Sequence, residues 1–204
     1  MSHFPRAPWP MRDKAAALAA AAAFAALSGC AGTPPENFYT LSPVAVTAAA
    51  VPGPFANAAI VVEPAALPDL VDRPQFVLRT GNSKVAILEQ QRWAEPLKVQ
   101  IARTVAANLA RLLGGARVSA NPPAGAPIAD YRVTLEVQQF ESGPGDAVRM
   151  EVVWTVRGST PASTRSGRAT VRETVSGEGF EALVAAYNRA LGRISDAIAA
   201  ALGN

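Results

Sequence analysis

The 204-residue chain holds one histidine, His3, one cysteine, Cys30, and three lysines. Each shortage removes a class of chemistry. Serine and cysteine hydrolase triads need an imidazole, and zinc sites are built from Cys and His with occasional carboxylates. A lone cysteine closes no intrachain disulfide, even in an oxidising compartment. No GxGxxG, P-loop or HExxH motif is present. Asp69 and Asp72 form the one close carboxylate pair that attracts attention, but between Pro68 and Pro74 they read as turn-capping residues. Lys84 and Lys98 lie outside any Ser-x-x-Lys context. The expectation is a protein that is not an enzyme and that needs no cofactor or metal. Aromatic residues make up 6% of the chain, too few for a broad stacking groove.

What is present lies first at the N-terminus. Arg6, Arg12 and Lys14 precede an apolar run from Ala15 to Leu27, shorter than the roughly twenty residues a spanning helix needs. The run closes on Leu27-Ser28-Gly29-Cys30, the lipobox pattern. Cleavage before Cys30, with a diacylglyceryl group on its sulfur and an acyl group on its nitrogen, is the expected processing. An ordinary secretory signal with a chance cysteine and a buried alanine helix are the competing readings. Translation from Met1 or Met11 leaves the motif intact. The expected organisation is a signal peptide over 1–29, a lipidated tether over 30–37 and a single domain over 38–204.

Removing the signal takes +2 of the chain's formal +3 with it and leaves the mature part near +1. Nucleic-acid binding then has no electrostatic motive. His3 is cleaved away and Cys30 is acylated, so neither remains for chemistry. Residues between Cys30 and Phe38 reach at most about 25–30 Å at roughly 3.3–3.6 Å per residue, which keeps the domain near its membrane.

The domain reads as α+β: a two-layer arrangement with a mixed, mostly antiparallel sheet and two helices on one face. Asn37 to Pro43 suggests an extended segment docked on the domain. Ala59 to Val62 reads as a buried strand, and Phe76 to Thr80 with Lys84 to Glu89 as a hairpin around Gly81-Asn82-Ser83. A helix opening at Pro96 and stopping at Gly114-Gly115 carries Leu97, Ile101, Val105, Leu109 and Leu112 on one face. Arg117 to Ala120 is read as a return to the sheet. Three segments then alternate at period two: Tyr131 to Val137, Val148 to Val156 and Ala169 to Val175, which is the pattern of a half-wet antiparallel meander. A second helix places Phe180, Val184, Tyr187, Leu191, Ile194, Ile198 and Leu202 on one stripe.

The order of several short motifs carries a resemblance. Phe38-Tyr39-Thr40-Leu41, Leu67-Pro68 with Val71-Asp72-Arg73-Pro74-Gln75, Trp93-Ala94-Glu95-Pro96-Leu97, Trp154, and Gly179-Phe180 with Leu183-Val184 and Ala186 together resemble the ABC-type transport auxiliary lipoproteins. These are the PqiC-like lipoproteins that accompany MCE-domain transport systems of Gram-negative bacteria. The resemblance implies an accessory subunit, anchored on the periplasmic face of the outer membrane. Its implied partners are a periplasmic MCE protein and the cognate ABC transporter, in movement of phospholipid or other hydrophobic molecules between membranes. Ala31, in place of the aspartate that commonly retains lipoproteins in the inner membrane, agrees with outer-membrane delivery. A homo-oligomer is implied only through the ring-forming partner.

Arg73 in a proline-bounded loop and Trp93 ahead of a helix are the candidate partner contacts. The alternatives are that Trp93 packs the helix N-terminus and that Arg73 pairs with Asp69 or Asp72. Trp154, at period two with Val152 and Val156, is expected in the core. Two other functional classes compete: an assembly or plug lipoprotein for an outer-membrane β-barrel, and a lipid-anchored envelope enzyme.

Overall fold

The computed structural model describes residues 34–44, 55, 57–120, 122, 128–143 and 147–203. The lipobox residues Leu27, Ser28 and Gly29 and the acylation site Cys30 lie outside the described residues. The folded unit spans Glu36–Asn204. Its elements are β1 (Asn37–Tyr39), β2 (Ala59–Val62), β3 (Gln75–Arg79), β4 (Val85–Trp93), α1 (Leu97–Leu112), β5 (Arg117–Ser119), β6 (Tyr131–Ser142), β7 (Ala147–Gly158), β8 (Arg165–Thr174) and α2 (Gly179–Gly203). Among the described residues no helix is long and apolar enough to cross a membrane.

The class is α+β, with the strands divided between two sheets where the pattern pointed to one. The larger sheet has the order β5-β2-β6-β7-β8, and the smaller β1-β4-β3. The meander β6-β7-β8 is antiparallel throughout, whereas β2 lies parallel to both β5 and β6. The period-two residues of this meander face inward: Val133, Leu135, Val137, Met150, Val152, Trp154 and Val156 are all buried. A register shift between Val137 and Gln139 then returns Phe140 to the same buried face. Trp154 is a core residue, as its alternation predicts. It lies opposite Gly167, where an added Cβ would come within 2.4 Å of the indole, so glycine leaves the room its ring occupies.

Both helices lie against the larger sheet, α1 on β2 and β5 and α2 on β7 and β8, and they pack on each other. Of the stripe read from the sequence, Val184, Tyr187, Leu191, Ile194, Ile198 and Leu202 of α2 are buried, whereas Phe180 at the helix start is only half-buried and Leu183 joins the buried face. Helix α1 starts after Pro96, whose φ of −51° and ψ of 123° are not helical. Its end is set by Gly114 and Gly115, at φ 44° and 97°, a left-handed turn that residues with a Cβ enter only with strain.

The buried face of α1 is not uniformly apolar. Gln100, Thr104 and Asn108 recur at four-residue spacing and are buried. The amides of Gln100 and Asn108 hold the segment Leu41–Val44, which follows β1 without making a strand of its own. Gln100 Oε1 accepts from Leu41 N at 2.8 Å, and Asn108 Oδ1 accepts from Val44 N at 3.1 Å. Asn188 of α2 accepts from Ser42 N at 2.9 Å, and Arg111 donates to Val44 O at 2.5 Å. The extended segment expected from the sequence is therefore held by side-chain partners that satisfy backbone groups one by one.

The two sheets are linked by Arg79 on β3, which grips the carboxylate of Glu141 on β6 with both its Nε, at 3.0 Å, and its Nη2. The guanidinium hydrogen bonds hold the Glu141 carboxyl below the usual glutamate range.

Candidate functional site

Three chain segments converge where the N-terminal segment joins the domain. The backbone N–H of Trp93, at the end of β4, donates to Pro74 O at 2.7 Å. The next N–H, of Ala94, donates to Tyr39 O at 2.9 Å. Strand β4 runs on to Trp93, beyond the Glu89 limit read from the sequence, because β1 pairs with its last residues in parallel. Pro96 then turns the chain into α1, accepting from Val99 N and Gln100 N through its carbonyl. Between β1, the loop after β2, the end of β4 and the first turn of α1 lies a groove of about 600 Å³.

The floor of the groove is rigid. Trp93 is 5% exposed and stacks on Phe76 with ring centres 4.1 Å apart and planes 20° from parallel. It also meets Phe140 and Tyr187 edge-on, and those two rings stack at 4.2 Å. Burial pushes the Tyr187 hydroxyl well above its ordinary pKa, so it stays neutral. The void inside this cluster is about 10 Å³, room for one water at most and not for an acyl chain.

The rim is charged, and most of its charges are paired. Arg92 meets Glu36 at 2.7 Å, Lys98 meets Asp72 at 3.3 Å, and Arg103 reaches Glu95 at 2.7 Å. Arg73 is the exception: its Nε is shielded from solvent and has no hydrogen-bond partner. Neither carboxylate proposed for it from sequence serves. Asp72 is taken by Lys98, and the turn around it is made by Val71 N and Asp72 N, which donate to Pro68 O, so the Asp72 side chain is an ion-pair partner and not the turn cap expected. Phe38, Pro74 and Pro96 add apolar surface to the lining of the same groove. Phe38 is 60% exposed although its neighbour Tyr39 packs inward against Phe76.

The structure thus brings Arg73 and Trp93 into one groove, Trp93 as its floor and Arg73 on its edge. Sequence reasoning did not single out Phe38 as an exposed group or Gln100 and Asn108 as holders of the incoming segment. For the latter a signal existed: polar residues at four-residue spacing within an otherwise apolar helix face. A second hollow, of about 290 Å³, lies beside the start of α2 among Leu78, Val175, Phe180 and Leu183. Among the described residues no group of three or more His, Cys, Asp or Glu is placed to hold a metal ion.

The family model for the ABC-type transport auxiliary lipoprotein component matches residues 39–199, which include most of the groove. The chain belongs to this family. Its fold is shared with two crystal structures. One, of an uncharacterized protein, superposes with a TM-score of 0.66 at 21% identity, covering 82% of this chain and 98% of that one. The other, of a protein from Xanthomonas campestris, gives a TM-score of 0.61 at 17% identity, covering 80% and 93%. No curated protein matches the chain. The family places the chain among membrane-associated lipoproteins that serve ABC-type transport as auxiliary components.

Proposed function

We propose that the chain is a non-catalytic tethering subunit of an MCE/ABC-type intermembrane lipid transport system, held on the periplasmic face of the outer membrane by lipid on Cys30. The observation that carries the reading is the family match beginning at residue 39, nine residues after the lipobox cysteine. The anchor supplies the physics of tethering. Each buried methylene contributes about 0.8 kcal/mol, and one acyl chain holds only marginally whereas several together hold stably. The aromatic core beneath the groove, with its void of about 10 Å³, offers no internal chamber for a lipid chain, which supports a positional role.

Arg73, which has no ion-pair partner, marks the proposed contact edge of the domain, and Trp93, buried as the floor of the groove, supports that edge from beneath and is not itself an exposed contact. Crosslinking in membranes followed by affinity capture of the chain tests the partnership. Recovery of an MCE protein with its transporter is expected, and recovery of a β-barrel protein alone would reject it. The anchor has its own check: Cys30→Ala should abolish acyl labelling and release the domain to the soluble periplasm, and an unchanged membrane fraction would count against lipidation.

A further inference from the structure

Of the four large hydrophobic side chains left exposed among the described residues, two lie on segments that border the groove: Phe38 at 60%, on β1, and Leu70 at 43%, on the loop that carries Arg73. Strand β1 pairs Phe38 with Arg92 in parallel register, and Arg92 binds Glu36. The chain coming from Cys30 therefore enters the domain beside the groove. Five residues lie between Cys30 and Glu36, so the six steps from one to the other span at most about 20–22 Å at roughly 3.3–3.6 Å per residue.

We infer that this corner is seated on the bilayer that holds the lipid anchor, with Phe38 and Leu70 entering the boundary between headgroups and acyl chains and Arg73 meeting a lipid phosphodiester. The inference rests on the reading of Cys30 as acylated and adds to it the orientation of the domain. Covalent connectivity favours the bilayer over a protein occupant. A partner can approach any face, but an acylated Cys30 obliges the membrane to lie within the tether's contour of β1. Phe and Leu are side chains that interfacial segments sink into that boundary. A guanidinium suits phosphate, which it binds through a planar fork of donors. Three carboxylates at the groove's rim are already held, Glu36 by Arg92, Asp72 by Lys98 and Glu95 by Arg103, which leaves Asp69 beside Leu70 as the exposed carboxylate without an ion pair there among the described residues. The end of β4 ties the two segments together, since Trp93 N donates to Pro74 O, next to Arg73, and Ala94 N donates to Tyr39 O, next to Phe38.

The test uses the mature lipoprotein with its lipid, reconstituted into vesicles of phosphatidylethanolamine and phosphatidylglycerol. Because the Cys30 sulfur is acylated, Phe38→Cys gives one free thiol for an environment-sensitive fluorophore. Thr164→Cys, exposed on the turn between β7 and β8, is the control. The label at 38 should shift to the blue and be quenched by lipids that carry a quencher near the headgroup, while the label at 164 stays in water. Arg73→Gln should reduce the quenching at 38. Flotation with the vesicles and acyl analysis of Cys30 are read separately. A protein that floats while the label at 38 remains in water overturns the seat and leaves the anchor standing. Failure to float, with bare Cys30, overturns both. A label at 38 that is untouched by lipid quenchers but becomes shielded when the MCE protein is added would make the corner a protein-docking face instead.

Discussion

The two sheets hold together by different means. In the larger, β6, β7 and β8 run for 12, 12 and 10 residues in antiparallel register, and their inward face is almost wholly apolar. Its stabilisation is spread over many interchangeable contacts. The smaller sheet has strands of 3, 9 and 5 residues, and it depends on one aromatic stack, one inter-sheet ion pair and individually placed amides. The contrast separates scaffold from attachment. Breadth of burial makes the meander tolerant, while the corner that receives the N-terminal chain concentrates its geometry in a few groups whose loss has a local signature.

The strongest blow to this contrast is Trp93→Ala, which empties the floor where the smaller sheet meets the core. It should cost about 3–5 kcal/mol in urea unfolding, as for other large aromatic truncations. A loss below about 1 kcal/mol would mean the floor is not continuous with the core. Gln100→Ala should cost about 1–3 kcal/mol by orphaning Leu41 N and removing the donor to Glu95 O. Amide exchange should rise at Leu41 and stay slow across β6–β8, and equal acceleration everywhere would dissolve the distinction.

Ionisation probes the same boundary. Tyr187 is held neutral by burial, so above its ordinary pKa the unfolded chain sheds a proton that the folded chain keeps. Stability should therefore fall by up to about 1.4 kcal/mol per pH unit above about pH 10, and Tyr187→Phe should flatten that slope. Glu141 has the opposite sign. Its carboxyl is lowered by Arg79, so its contribution is complete above the ordinary glutamate range and is lost as pH falls through the lowered value. Glu141→Gln should remove that acid dependence at a cost of about 1 kcal/mol. Arg73→Gln sits at the bottom of the scale. With no internal partner to lose, it should change unfolding stability by about 0.5 kcal/mol or less, and a larger drop would reveal a structural task for the guanidinium.

Much of the scaffold was legible in the sequence because its signals are local. The α2 stripe and the period-two runs of the meander are set by neighbouring residues, and each appears where the pattern put it. The division into two sheets was not legible. It depends on β1 pairing with β4 in parallel across more than fifty residues, and a three-residue strand carries no periodicity strong enough to announce a distant mate. The groove was half legible. Its two named residues, Arg73 and Trp93, do share a site, but the burial of one and the solitude of the other follow from tertiary neighbours such as Phe76 and Lys98. Phe38 escaped notice because strand alternation, which turns Tyr39 inward and Phe38 outward, becomes readable only once β1 is known to be a strand.

The way the N-terminal chain is gripped also has a mechanical meaning. A pull drawn along the axis of β1 loads its bonds to β4 in shear, so they resist together and do not unzip one after another. Behind them Gln100, Asn188 and Asn108 form a second row of catches on the two helices. Tension arriving from the membrane side is thereby handed to the helix pair, and a periplasmic load on this protein strains its most deeply rooted elements before it can peel the leash away.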